Sequence, residues 1–199
     1  MKSRTLVITS VATLALAALV AASFPPKTAA STAPSVERSE SKQIQVSGKP
    51  LQLNGSGIRT VKIAMVPIRA YEASFYTPEP LRSPEDVIAS SGPLRFDFKF
   101  LKGVSEKQVT KAWNAQFDAS NTKVYDSFEA DKERFVSFFG GLDKGATQSV
   151  VIDGDETRAY EDGNFKGAVK GREFQKSFLS LWFGSKPVME SLKKELLGK

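Results

Sequence analysis

The chain has 199 residues, of which 41% are hydrophobic and 25% charged, and it contains neither cysteine nor histidine. These values are typical of one globular domain, and the absent residue types exclude disulfides, cysteine nucleophiles, histidine-based metal centres and Ser-His-Asp triads. The formal net charge is +6, but the basic residues are not concentrated in the patches that nucleic-acid binding requires.

The N-terminal residues 1–22 have the pattern of an export signal. Lys2 and Arg4 precede the uncharged stretch TLVITSVATLALAALVAA, which ends in small residues that suit a signal peptidase. The stretch just reaches the length that spans a bilayer, so an uncleaved membrane anchor is the alternative. In both cases the sequence predicts a periplasmic or secreted protein. Residues 23–43, rich in Ser, Thr, Pro and Ala, predict a disordered tether, and the folded domain is expected to occupy residues 44–199.

The first half of the domain has the residue patterns of strands. QIQVS and LQLNG predict short strands joined by a turn at residues 48–50, and the glycines of NGSGIRT predict a second turn that leads into Arg59. Residues 58–76 are rich in β-branched and aromatic side chains and predict two strands joined near residues 65–67. SPEDVIASSG predicts a short capped helix, and LRFDFKF alternates apolar and polar residues as a half-buried strand does.

The second half alternates between helix and strand periodicity. SEKQVTKAWNAQF begins with a capping box and predicts a helix that buries Val109, Ala112, Trp113 and Phe117. A second helix, within DSFEADKERFVSFFGG, precedes a meander of three strands with turns at Asp-Gly pairs, and two more helices follow. The fold class predicted from this order is α+β, a largely antiparallel sheet with helices packed on one face.

Five segments carry a resemblance to known proteins: GIRTVKI, IRAYEASFY, VSEKQV, GATQSVVIDGD and above all FQKSFLSLWFGSKPVMESLKKELLG. Together they span about residues 50–198 and resemble the chalcone isomerase-like family of exported bacterial proteins. The resemblance implies an antiparallel sheet with a layer of helices on one side and a ligand cleft between the two layers.

Arg59 is the residue on which the functional interpretation depends. In plant chalcone isomerases the arginine after this glycine segment helps to hold the substrate oxyanion, and a threonine on the next strand positions a water molecule. The resemblance implies the arginine's role for Arg59, and it makes Arg59 a candidate catalytic residue. Tyr71 occupies the threonine's place, as a tyrosine does in plastid fatty-acid-binding proteins of the same fold, which favours ligand capture over ring closure.

The spacing of Arg59 and Tyr71 predicts that they meet. If the two strands form a hairpin centred near Met65, the two residues face each other on one side of the sheet. A guanidinium beside a phenol suits a carboxylate or a phenolate. Two alternatives remain: Arg59 is a solvated strand residue, or a bulge separates the pair, since KIAMVPIR lacks the Gly or Asn of a tight hairpin.

The other catalytic residues of the family are poorly matched. The family's enzymes carry a tyrosine and an asparagine near the first long helix, and here that helix offers Asn114 but no tyrosine. DGDETRAYEDGN lacks the glycine and the final acidic residue of a calcium loop, so a hairpin is predicted there, with neither a metal site nor a cofactor. Eight of the fourteen phenylalanines lie between Phe96 and Phe139, where core packing and an acyl or aryl pocket are both possible.

The function predicted from the sequence is the binding of a small amphipathic acid, a fatty acid or a phenolic acid, in a cleft. Arg59, Tyr71 and Asn114 are the candidate ligand-binding residues. The first alternative is an isomerase of the intramolecular-lyase type, and the second is a non-catalytic periplasmic partner protein. No nucleic acid is expected as a partner, and membrane contact is expected through the N-terminal segment if it is not cleaved.

Overall fold

The computed structural model describes residues 44–120 and 127–199. The predicted signal peptide (1–22) and tether (23–43) lie outside the described residues. The described strands are β1 (Ile44–Val46), β2 (Lys49–Ile63), β3 (Val66–Thr77), β4 (Leu94–Phe100), β5 (Thr147–Asp153), β6 (Glu156–Glu161) and β7 (Asn164–Lys170). The described helices are α1 (Pro84–Ala89), α2 (Glu106–Ser120), α3 (Phe128–Val136), α4 (Arg172–Phe183) and α5 (Glu190–Leu196).

The seven strands form one antiparallel sheet in which each strand pairs with the next one along the chain. The middle strand β4 shows the predicted alternation, since Leu94, Phe96 and Phe98 are buried in the core beneath the helices. Arg95 and Asp97 lie between them on the opposite face and form an ion pair with an N–O distance of 2.7 Å. The predicted class, α+β with helices on one face of an antiparallel sheet, is confirmed.

The turn predicted at NGSGIRT is wrong, since Gly55 and Gly57 lie inside the continuous strand β2. Both glycines allow α5 to pack closely on this strand. A Cβ atom on Gly55 would lie 2.1 Å from the backbone oxygen of Glu195, and one on Gly57 would lie 1.7 Å from Oε2 of the same residue. The earlier turn is shorter than predicted, because only Ser47 and Gly48 connect β1 to β2. The glycines therefore place α5 beside the part of β2 that carries Arg59.

Two helices begin with the caps that the sequence predicts. Before α1, the hydroxyl of Ser83 accepts a hydrogen bond from the backbone N–H of Asp86 at 3.0 Å. Before α2, the backbone N–H of Ser105 donates to the side-chain oxygen of Gln108 at 2.9 Å, as in a capping box. These local contacts satisfy N–H groups that have no partner inside their helices.

The buried face of α2 is narrower than predicted. Val109, Trp113 and Phe117 are buried, whereas Ala112 is exposed. The buried residues are four positions apart and form one row along the helix. Ala112 is rotated about the helix axis by about 100° from the middle of this row.

The core between the sheet and the helices consists largely of aromatic rings. The Trp182 ring of α4 stacks on Phe96 and Phe98 of β4, with centroid distances of 5.3 and 5.1 Å. Trp113 of α2 contacts the Trp182 ring at 6.1 Å. All eight phenylalanines between Phe96 and Phe139 belong to this core or pack against it. Core packing therefore accounts for them.

The opposite face of the sheet is partly covered by the β1–β2 hairpin. Val46 and Leu51 of the hairpin form a small second core with Val151 of β5. The hydroxyl of Ser47 in the hairpin turn also donates a hydrogen bond to the carboxylate of Asp153. None of the helices in the described ranges is long and apolar enough to cross a membrane.

Candidate functional site

The β2–β3 hairpin places Arg59 directly opposite Tyr71. Nearer the turn, Thr60 pairs with Arg69, so a regular ladder would bring Arg59 opposite Ala70. Ala70 is instead an extra residue at a β-bulge, and the bulge brings Tyr71 into line with Arg59. The predicted pairing is confirmed, although it depends on a bulge that was expected to separate the two residues.

Arg59 is half-buried and lies on the same face of β2 as Gly57, because alternate residues of a strand share a face. Its Nη1 donates a hydrogen bond to the backbone oxygen of Thr60 at 2.7 Å. Among the residues that the structure describes, Arg59 has no ion pair and no second hydrogen bond. A guanidinium carries five N–H donors, so most of those of Arg59 are available to an anion.

A negative charge lies on the same face without pairing with Arg59. The Glu195 carboxylate of α5 lies over Gly57, the preceding residue on this side of the strand. It forms no ion pair with Arg59 within the described part of the chain. An anion that binds Arg59 is therefore expected to approach from the side away from α5, where repulsion from Glu195 is weaker.

Tyr71 presents a neutral phenol beside this guanidinium. Its ring packs on Phe98 and Phe100, with centroid distances of 5.4 and 5.9 Å. Burial raises the pKa of Tyr71 to about 12, against the smaller lowering effects of Trp182 and Arg59. The phenol is therefore protonated at neutral pH and can donate a hydrogen bond to an anion.

Trp182 adds a third hydrogen-bond donor to the group formed by Arg59 and Tyr71. Its side chain is 1% exposed, and its indole N–H has no hydrogen-bond partner among the described residues. Trp182 is one of the two groups that lower the pKa of the Tyr71 phenol, and both rings pack on Phe98. An unpaired buried donor costs about 1–3 kcal/mol, which an acceptor could recover. The sequence analysis did not single out Trp182, because helical spacing predicts burial of the ring but not the direction of its N–H.

Asn114, the third candidate ligand-binding residue, lies on α2. It is half-buried next to Trp113, whose ring contacts Phe98 at 6.2 Å. Across residues 44–120 and 127–199, Asn114 forms no hydrogen bond with Arg59 or Tyr71. We therefore restrict the name "clamp" to Arg59, Tyr71 and Trp182.

Other candidate sites lie away from the clamp. An open surface depression of about 670 Å³ at the start of α2 is lined by Ser105, Glu106, Lys107, Thr110 and Lys111. It contains no clamp residue. The segment DGDETRAYEDGN forms the β5–β6 and β6–β7 turns with the strand between them, as predicted. The described residues contain no group of three or more acidic side chains that could hold a metal ion.

Comparisons with known proteins agree with the architecture. A family profile described as chalcone isomerase-like matches residues 36–198, which is more than half of the chain. A crystal structure of a fatty-acid binding protein from Arabidopsis thaliana, AtFAP1, superposes with a TM-score of 0.59 at 16% sequence identity, covering 74% of this chain and 86% of that one. At this identity the likeness concerns the fold alone, and no curated protein matches the sequence. The chain belongs to the chalcone isomerase-like family.

Proposed function

We propose that this protein binds a small amphipathic acid, such as a fatty acid or a phenolic acid, and holds its anionic head group in the clamp. The observation that carries the proposal is the pairing of a half-buried guanidinium, Arg59, with a protonated phenol, Tyr71, on the helix-covered face of the sheet. Partial burial of a charge with few partners is unfavourable, and an anionic ligand would offset that cost.

The three donors suit the head group of such a ligand. Arg59 can make two parallel N–H contacts to a carboxylate, and Tyr71 can donate a third hydrogen bond. The unpaired N–H of Trp182 can donate to the same head group or to the Tyr71 oxygen. The ring of Phe100, which is only partly buried and packs on Tyr71, is an apolar neighbour for the rest of the ligand.

Two further considerations support the class of ligand and its location. The similar Arabidopsis structure is described as a fatty-acid binding protein, and a fatty acid combines a carboxylate with an apolar tail. The pattern of residues 1–22 supports action outside the cytoplasm. N-terminal sequencing of the protein recovered from the periplasm would check the second point, since a chain that retains Met1 in the membrane fraction contradicts cleavage.

Calorimetry with palmitate and with p-coumarate tests the proposal. Arg59→Ala should weaken binding by about 2–5 kcal/mol, the range for truncating one partner of a buried charge pair. Arg59→Lys should recover only part of this loss, because an ammonium cannot make the bidentate contact. Tyr71→Phe should cost about 0.5–1.5 kcal/mol, and up to about 3 if the acceptor is charged.

The controls separate ligand binding from folding and from general charge. Arg69→Ala removes an exposed arginine two residues from Tyr71 and should leave the affinity unchanged. Circular dichroism should show an intact fold for each variant. Equal affinities of the wild type and Arg59→Ala would return Arg59 to the role of a solvated strand residue. Turnover of a chalcone that is lost in Arg59→Ala would favour the isomerase alternative.

A further inference from the structure

The β2–β3 hairpin projects beyond the rest of the described sheet. β3 pairs with β4 from Tyr71 to Tyr76, and one more bond joins the N–H of Leu101 to the oxygen of Ala70 at 2.9 Å. Beyond that point, residues 60–69 pair with one another across the hairpin, and we call them the arm. A two-stranded ribbon is only marginally stable by itself in water, so an exposed arm of this length needs an explanation.

The tip of the arm has residues that neither solubility nor turn geometry favours. Ala64 and Met65 form the turn with positive φ values of 47° and 70°, where Asn and Gly are the preferred residues. The side chain of Met65 is 91% exposed and that of Val66 is 56% exposed. Apolar side chains at a projecting point that water surrounds are typical of a contact surface for another molecule or a membrane.

The arm itself carries only positive charges, since Lys62 and Arg69 are the charged residues among residues 60–69. The nearby Glu195 carboxylate lies over Gly57, outside the arm. Lys62 and Arg69 are exposed on the two strands of the arm, three residues behind Met65 and Val66. At about 3.3 Å per residue, that places the two cations roughly 10 Å behind the apolar tip.

We propose that the arm docks on an anionic lipid bilayer, with Met65 and Val66 inserted among the acyl chains and Lys62 and Arg69 at the level of the lipid phosphates. The separation of the apolar tip from the cations matches the depth to which interfacial segments enter a membrane, about 5–10 Å. The occupant is a lipid surface rather than a second copy of this chain, because two arms would bring like charges together.

Docking at the arm would also bring the clamp close to the membrane. Arg59 and Tyr71 directly adjoin the arm, one residue before its first position and two residues after its last. An amphipathic acid leaving a bilayer would thus meet the clamp near the lipid head groups. The membrane contact itself does not depend on the proposed ligand and can be tested without one.

The chain contains no cysteine, so a single introduced thiol can be labelled specifically. Met65→Cys carrying an NBD fluorophore is mixed with vesicles of phosphatidylcholine and phosphatidylglycerol in equal parts, or with vesicles of phosphatidylcholine alone. We expect a blue shift of the emission with the anionic vesicles and quenching by lipids that carry a nitroxide on the acyl chain. Leu53→Cys is the matched control, since Leu53 is 55% exposed on β2 outside the arm and should show neither effect.

Charge reversal tests the role of the two cations. Lys62→Glu combined with Arg69→Glu should lower partitioning of the labelled protein into anionic vesicles by at least about tenfold. The label reports only its own surroundings. If the protein attaches to the vesicles through residues 1–22 alone, the emission of the label at position 65 will stay as it is in water. That result would overturn the proposal. A shift that appears without vesicles and grows with protein concentration would overturn it in favour of self-association.

Discussion

Gly55→Ala is expected to displace α5 from the sheet. The new Cβ atom would lie 2.1 Å from the backbone oxygen of Glu195 and 2.6 Å from that of Leu196. Backbone atoms of a helix cannot rotate away as a side chain can, so the end of α5 has to move by roughly 1 Å or more. The movement also stretches the hydrogen bond from Asn54 Nδ2 to the Leu196 oxygen, which is 2.8 Å long.

The expected loss of stability follows from these contacts. Overpacking of a well-packed site costs about 1–3 kcal/mol, and weakening a buried hydrogen bond adds about 0.5–1.5 kcal/mol. We therefore expect the free energy of unfolding to fall by about 2–4 kcal/mol in Gly55→Ala. Gly57→Ala should cost less, because its closest contact is the movable carboxylate of Glu195.

Urea unfolding followed by tryptophan fluorescence measures the difference, since Trp113 and Trp182 are both buried. Gly140→Ala is the control, because a Cβ atom there would have no neighbour within 4 Å. The expected order of stability is Gly140→Ala close to wild type, then Gly57→Ala, then Gly55→Ala. A Gly55→Ala protein as stable as the wild type would refute the close packing of α5 on β2.

Two further predictions concern the clamp. In a spectrophotometric titration, one of the four tyrosines should ionise near pH 12, and Tyr71→Phe should remove that transition. Because this pKa is raised above its ordinary value of 10.0, the contribution of Tyr71 to stability is complete below pH 10 and is lost as the pH rises towards 12. Between pH 10 and pH 12, the free energy of unfolding measured with urea should fall by up to about 3 kcal/mol more in the wild type than in Tyr71→Phe. The same pH dependence in both proteins would contradict this prediction. Glu195→Gln should tighten palmitate binding by a free energy on the order of 1 kcal/mol, because it removes a negative charge that repels the carboxylate of the ligand. An unchanged affinity in calorimetry would show that the head group binds elsewhere.

Most of the secondary structure could be predicted because neighbouring residues determine it. The alternation of LRFDFKF produced β4, and the cap at Ser83 opened α1 as expected. The glycines of NGSG were misinterpreted for a physical reason: glycine suits a turn, and it equally suits the close approach of another backbone. Only the contact between Gly55 and Glu195, residues far apart in sequence, distinguishes the two uses.

For the candidate site, the sequence by itself determined that Arg59 and Tyr71 lie on adjacent strands at a spacing that lets them pair. The tertiary structure decided which groups surround them. The bulge at Ala70 sets the register, and the packing of α4 and α5 brings the Trp182 indole and the Glu195 carboxylate to the same face of the sheet. These arrangements depend on contacts between elements that are distant along the chain, and no local pattern of residues encodes the direction in which a buried N–H or a carboxylate points.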